Sequence, residues 1–237
     1  MKAAILTALN EPLVIRDDVT LSDLGPGDVH VKIASSGVCH SDLSAQNGTI
    51  PSGTPCVLGH EGAGVIQEVG RDVTELAPGD HVIISFVPAC RVCKSCLRGQ
   101  SYLCEYTMHV MTSPHFVIDG NPVSGFTGVG TFAEEMVISE HCCIKIDTDV
   151  PLDVVSLVGC GVTTGVGAAI NSAGVTPGSS VVVFGCGGVG ISAIQGARIA
   201  GAAEILAVDM VEGKLEQAKH FGATHVCTPD ALEQLKV

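Results

Sequence analysis

Over the first 150 residues the apolar positions fall in short runs rather than at helical spacing. Val29, Val31 and Ile33 alternate with His30 and Lys32, the period of a strand with one face in a core. Turn residues precede such runs, as in Gly25-Pro26-Gly27-Asp28 and Pro78-Gly79-Asp80. The same pattern predicts strands over 3–9, 64–69, 82–86, 132–138 and 142–146, and hence a β-rich, barrel-like unit over residues 1–150. Beyond that point the texture changes. An apolar helical stretch over 153–173 leads to a β-branched strand over 181–184, a Gly-rich turn and a small-residue helix reaching Ala200. A strand over 204–208, a charged helix over 212–221 and a strand over 224–227 follow. This alternation predicts the first half of a doubly wound parallel sheet over 151–237.

Composition narrows the function classes. Apolar residues at 46% and charged ones at 16% exclude a disordered chain, and 237 residues can bury a sizeable core. A net charge of −13 would be repelled by phosphate backbones, so nucleic acid is not an expected partner. The 44 uncharged residues from Val154 to Ala197 resemble a membrane span in hydropathy alone, but Pro177 and many Gly, Ser and Thr residues interrupt them. No membrane association is expected. The apolar run at the N-terminus is too short for a signal peptide and meets Asn10, Glu11 and Pro12 at once, so a cytoplasmic location is expected.

The 11 cysteines are odd in number, which rules out a disulfide framework that uses them all and directs attention to metals. Cys90, Cys93, Cys96 and Cys104 are separated by two, two and seven residues. Four thiolates so close on one loop can close a tetrahedron around zinc, whereas a ferredoxin-type iron–sulfur run would place its fourth Cys nearer and follow it with Pro. A four-sulfur site leaves no open position, so this zinc would be structural and would pin a lobe over about residues 88–105. Cys56, Cys142, Cys143, Cys186 and Cys227 read as small buried hydrophobes.

Gly185-Cys186-Gly187-Gly188-Val189-Gly190 matches a dinucleotide fingerprint, G-x-G-x-x-G. Alone it is weak evidence, but a β-branched strand precedes it, a helix of small residues follows, and Asp209 comes 19 residues after Gly190. Such glycines let backbone meet a pyrophosphate at a helix N-terminus, and Asp209 would bind a ribose 2′-hydroxyl and repel a 2′-phosphate, which favours NAD. A third set, Cys39-His40-Ser41-Asp42, Gly59-His60-Glu61 and Gly159-Cys160-Gly161, is dispersed. Spacing does not unite it, and each Cys or His taken singly is compatible with a core residue.

With the segments Gly37-Val38-Cys39-His40-Ser41-Asp42 and Gly59-His60-Glu61-Gly62-Ala63-Gly64, the four-Cys lobe, Gly159-Cys160-Gly161 and the fingerprint in this order, the chain resembles the zinc-dependent alcohol dehydrogenases of the medium-chain dehydrogenase/reductase superfamily, class III included. The resemblance implies a chaperonin-10-like catalytic domain over 1–150 and an NAD-binding coenzyme domain beginning at 151. It implies a catalytic zinc on Cys39, His60 and Cys160 with a fourth position open to water or alcohol, Glu61 behind the metal, and Asp42 orienting His60. Ser41 takes the position of the hydroxyl that receives the substrate proton. His40 would face the pyrophosphate, Thr164 and Val189 the nicotinamide, and Lys214 the adenosine ribose. The implied activity is hydride transfer between a primary or secondary alcohol and NAD, giving an aldehyde or ketone. The implied alternatives are a thiol-adduct formaldehyde dehydrogenase and a non-catalytic zinc-stabilised fragment.

Two departures from the family pattern stand out. Ser44 occupies the position where many members carry a relay His, so proton exit is expected through water or another group. The chain also stops at Val237, after the third strand of the coenzyme domain, and is expected to be a truncated piece of a longer protein. The family forms homo-oligomers through later strands, so a homo-oligomer is implied for a full-length protein but not legible in these residues.

Overall fold

A computed structural model describes residues 1–232; residues 233–237, the end of the expected coenzyme domain, lie outside the described residues. The chain divides into two compact units, Met1–Cys160 and Gly161–Val237.

The first unit holds strands β1 (Ala3–Leu6), β2 (Val14–Arg16), β3 (Thr20–Leu21), β4 (Asp28–Gly37), β5 (Cys56–Val57), β6 (Glu61–Val69), β7 (His81–Ile84), β8 (Phe116–Ile118), β9 (Asn121–Val123), β10 (Glu135–Ser139) and β11 (Cys143–Ile146). Short helices α1 (His40–Gln46), α2 (Lys94–Leu97), α3 (Thr107–Thr112) and α4 (Leu152–Val155) punctuate them. Its central sheet runs β10-β4-β6-β7-β11, all antiparallel, flanked by the small sheets β2-β1-β5 and β3-β8-β9. The alternation read at Val29 and Val31 is the inward face of β4: both are fully buried and pack with Ile66, Val82, Ile84, Met136 and Ile138. The register of β4 on β6 shifts between Ile33 and Ser35. Such an irregularity bends the strand end, and here it lies just before the loop that carries Cys39.

The second unit is a parallel sheet, β12-β13-β14, of Ser180–Phe184, Glu204–Val208 and His225–Cys227. Around it lie α5 (Gly161–Gly167), α6 (Gly188–Ile199), α7 (Glu212–Phe221) and α8 (Pro229–Leu232). Ile194 and Ala197 of α6 and Leu215 and Ala218 of α7 pack with Ile205 and Ala207 of β13 in its core.

The continuous helix expected over 153–173 is not formed. It is replaced by α4, a 3₁₀ turn over Ser156–Gly159, α5 and a π-helical turn over Ala168–Ser172. The break is at Cys160, whose φ of −141° and ψ of −75° lie outside the helical region. Several strands are shorter than expected: β1 ends at Leu6 rather than Leu9, and β10 starts at Glu135 rather than at 132. Among the described residues no single helix is long and apolar enough to cross a membrane.

Candidate active site

Three separate segments converge at one end of the central sheet. Cys39 caps the N-terminus of α1, just beyond β4; His60 and Glu61 stand at the start of β6; Cys160 follows the 3₁₀ turn, which packs on β6 and β7. One donor atom each from Cys39, His60, Glu61 and Cys160 lies within 4.8 Å of the others. His60 and Glu61 are buried, and the two cysteines are half-buried.

Asp42, itself buried, organises this convergence. Its Oδ2 accepts the backbone N–H of Cys39 at 2.9 Å, and its Oδ1 accepts the N–H of Gly59 at 3.0 Å and Nδ1 of His60 at 3.2 Å. A carboxylate that accepts from Nδ1–H holds that proton on Nδ1, so the lone pair of Nε2 is the one the imidazole can offer to a metal. Gly59 takes a φ of +88°, and a Cβ there would come within 2.7 Å of Phe132 and Thr131, so a glycine is required immediately before His60. The backbone N–H of Thr131 bonds the carbonyl of Gly59 at 2.9 Å, and its hydroxyl meets Ser36 Oγ at 2.7 Å.

The electrostatics favour a cation. Burial works against a charged imidazole at His60, but Asp42 and the Cys160 and Cys39 sulfurs outweigh it and hold the ring's proton up to about 10. Burial pushes the Cys39 thiol up, yet hydrogen bonds from the backbone and hydroxyl of Ser41 and from His60 bring it below its ordinary value. Its sulfur lies 3.6 Å from Ser41 Oγ. A proton held between two thiols and an imidazole is one that a divalent ion can displace. Phe86 and Phe126 meet the His60 ring edge-on, with centroids 5.6 and 5.4 Å away, and make an apolar wall around the donors. The sequence reading missed both aromatics, because nothing in their spacing ties them to His60.

The second cluster is the four-Cys lobe. All four sulfurs lie within 4.8 Å of one another, and none is in a disulfide. Three of them accept backbone N–H groups: Cys104 from Cys90 at 3.5 Å, Cys90 from Cys93 at 3.4 Å and Cys93 from Cys96 at 3.5 Å. Backbone N–H groups of Glu105 and Cys96 draw the Cys93 thiol down to about 6. Desolvation, reinforced by the neighbouring sulfurs, pushes Cys96 up to about 12. Of the remaining cysteines, Cys56, Cys142, Cys186 and Cys227 are buried as expected, whereas Cys143 is only half-buried, because β11 is an edge strand.

In the second unit, the turn after β12 begins at Gly185 with a φ of +88° and enters α6 at Gly188. Open space lies where Cβ atoms of Gly185, Gly187 and Gly188 would sit, so the turn presents bare backbone. Gly190 is different: a Cβ there would lie 1.8 Å from the carbonyl oxygen of Gly185. Asp209 follows β13 and closes back on this turn, with Oδ2 accepting the N–H of Cys186 at 2.8 Å and Oδ1 that of Val211 at 2.9 Å. These bonds, the one from Cys186 foremost, hold its carboxyl below the usual range. Lys214 Nζ stands 4.0 Å from it. His40, Thr164 and Val189 are exposed, on α1, α5 and α6.

Residues 25–148 match the family model described as the alcohol dehydrogenase GroES-like domain, and residues 188–237 the one described as zinc-binding dehydrogenase. The chain is 41% identical to the S-(hydroxymethyl)glutathione dehydrogenase of Paracoccus denitrificans, over 99% of this chain and 64% of that protein. It superposes on the crystal structure of benzyl alcohol dehydrogenase from Acinetobacter calcoaceticus with a TM-score of 0.88 and 36% identity, covering 98% of this chain and 65% of that one. A zinc-binding dehydrogenase from Sinorhizobium meliloti bound to NADP gives a TM-score of 0.77 at 26% identity, covering 97% and 62%. The chain thus spans less than two thirds of the length of each of these proteins.

Proposed function

The chain belongs to the zinc-dependent alcohol dehydrogenases of the medium-chain dehydrogenase/reductase superfamily, and from that premise we propose that the whole protein transfers hydride between a small-molecule alcohol and a nicotinamide dinucleotide. The observation that carries this reading is the convergence of Cys39, His60 and Cys160 from three distant segments. Two thiols and one imidazole are a donor set that zinc accepts with one position left open, and the Nδ1–Asp42 bond leaves Nε2 to complete it. Zinc held there supplies Lewis acidity toward an alcohol oxygen. A second zinc is proposed for Cys90, Cys93, Cys96 and Cys104, where four sulfurs leave no room for substrate.

The chain's own residues perform the rest. Asp42 fixes the tautomer and the angle of His60. Ser41 Oγ, beside Cys39, receives the substrate's hydroxyl proton and hands it to water, since Ser44 has no basic group to continue a relay. Phe86 and Phe126 exclude water from the donors, which strengthens every charge interaction there. Glu61 offers a buried carboxylate at the same point. On the coenzyme side, the bare backbone of Gly185, Gly187 and Gly188 suits a pyrophosphate, with Thr164 and Val189 supporting the nicotinamide and Lys214 near the adenosine ribose. The ionised Asp209 favours a ribose 2′-hydroxyl over a 2′-phosphate, so NAD is the proposed cofactor. The proposed division of labour has a catalytic domain over 1–150 and a coenzyme domain over 151–237.

The similarity to the Paracoccus enzyme supports a second reading, in which the alcohol is a thiol–formaldehyde adduct. Formation of NADH with simple primary alcohols, with secondary alcohols and with S-(hydroxymethyl)glutathione separates the two. Absence of turnover with all three in the zinc-loaded full-length protein would reject both.

A further inference from the structure

A small polar cavity of about 90 Å³, sharing no residue with either cysteine cluster, lies between the start of β4, helix α3, the segment before β8 and the end of β10. It is exposed at Asp23 and His109 and buried at His115 and Ser139, so it has an entrance and a floor. Its volume holds several waters, or one ion with part of its hydration shell. His115 is only 6% exposed, and its buried Nε2 has no hydrogen-bond partner. A buried polar nitrogen in that state costs free energy until something occupies the space beside it. The backbone pins the residue in place: its N–H bonds the Val123 carbonyl at 3.3 Å, and its own carbonyl accepts from the Ser22 N–H at 3.1 Å. Burial keeps the imidazole neutral although Asp28 and the Gly128 carbonyl favour its charged form, so one ring nitrogen offers a lone pair.

Charge selects the occupant. Asp23 and Asp28 line the cavity, no Lys or Arg does, and among the described residues neither carboxylate pairs with one. The site therefore favours a cation. An imidazole nitrogen suits first-row transition ions, whereas Mg²⁺ and Ca²⁺ prefer oxygen throughout; carboxylate, hydroxyl and water oxygens beside that nitrogen suit Mn²⁺. Among the described residues no three of these imidazole and carboxylate groups offer donors within 4.8 Å of one another, in contrast to the cysteine clusters. An ion here keeps some of its waters and is held more weakly than zinc on thiolates.

We propose that this cavity binds a partly hydrated divalent transition ion of the Mn²⁺ class between His115 Nε2 and the Asp28 carboxylate, filling only after the cysteine clusters have taken their zinc. Titration of the full-length, zinc-loaded protein with Mn²⁺, read as loss of the free-ion electron paramagnetic resonance signal, tests this. Mn²⁺ is the probe because its low affinity for thiolates leaves zinc where it is. One Mn²⁺ per chain is expected, retained against an about tenfold excess of Mg²⁺. That competition matters because a chain of net charge −13 also gathers divalent ions loosely on its surface carboxylates. His115→Gln and Asp28→Asn should each weaken binding at least about tenfold, with zinc content unchanged. His81→Gln alters another imidazole with a buried, unpartnered nitrogen, outside the cavity, and should leave the affinity as it is. A manganese-edge anomalous map of the wild type needs no variant and should place one peak in the cavity against His115 Nε2. No Mn²⁺ bound, release by Mg²⁺, a peak elsewhere, affinity unchanged in either cavity variant, or equal weakening by His81→Gln would each overturn the proposal.

Discussion

Asp42 Oδ1 lies 3.2 Å from His60 Nδ1, and the other oxygen of the same carboxylate holds the backbone of Cys39 at 2.9 Å. One buried side chain therefore orients two donors that are 21 residues apart in sequence. The link explains why helix α1 must begin where it does. Asp42 is the third residue of α1, and its cap on the Cys39 N–H is also what aims that loop at the imidazole.

Asp42→Asn keeps the shape but replaces one acceptor oxygen with an amide that cannot accept from Nδ1. A loss of about 10- to 100-fold in zinc affinity or in turnover is expected, the usual range for partners behind a metal ligand. Competition with a chelator, read out as zinc retained against time, checks it; retention equal to wild type counts against the orienting role.

Cys96→Ser removes a sulfur from the lobe and leaves the Cys39 site intact. Zinc content should fall from two to one per chain while the Cys39 site keeps its metal. Thermal stability should drop by about 4–8 °C, corresponding to about 2 kcal/mol for a chain of this size. Metal analysis and calorimetry on the same preparation give both numbers.

Gly190→Ala inserts a methyl group 1.8 Å from the Gly185 carbonyl oxygen, so α6 has to move away from β12. A destabilisation of about 1–3 kcal/mol is expected, with a rise in Kd for NADH, because the turn that faces the pyrophosphate shifts. Urea unfolding and fluorescence titration report the two effects separately.

Asp209→Asn keeps an acceptor for a backbone N–H but removes the charge. The ratio of kcat/KM for NAD over NADP should fall at least about tenfold, the factor that about 1.4 kcal/mol represents. An unchanged ratio would mean that Asp209 serves only the clamp on Cys186 and Val211.

His115 supplies a pH dependence away from the proposed zinc sites. Burial pulls its imidazole below the ordinary value, and its Nε2 has no hydrogen-bond partner, so the folded protein holds it neutral. The unfolded chain takes up that proton below about pH 6.5. Stability tied to this residue is therefore complete above that pH and is lost as the pH falls below it, at up to about 1.4 kcal/mol per pH unit. Comparing Tm between pH 7.5 and 5 in the wild type and in His115→Gln should show a shallower fall in the variant.

Legibility in the sequence followed locality. The β4 alternation, the Gly185–Gly190 turn and the Cys90–Cys104 lobe could be read directly, because each is a pattern within a few residues that one local geometry satisfies. Cys39, His60 and Cys160 could be joined only through family resemblance, since what unites them is the β4–β6 pairing and the packing of the 156–159 turn on β6 and β7. The same packing defeated the helix expected over 153–173: apolar periodicity continues through Cys160, but its backbone leaves the helical region where the chain reaches the site. Phe126 lies in a segment with a weak pattern, on a 3₁₀ turn whose left-handed Thr127 no periodicity announces.

An anomalous difference map of the metal-loaded protein, recorded across the zinc edge, tests the central claim most directly. Two peaks are expected, one of them about 2.3 Å from Cys39 Sγ and Cys160 Sγ and about 2.0–2.1 Å from His60 Nε2. A single peak, confined to Cys90, Cys93, Cys96 and Cys104 in fully loaded crystals, would contradict it.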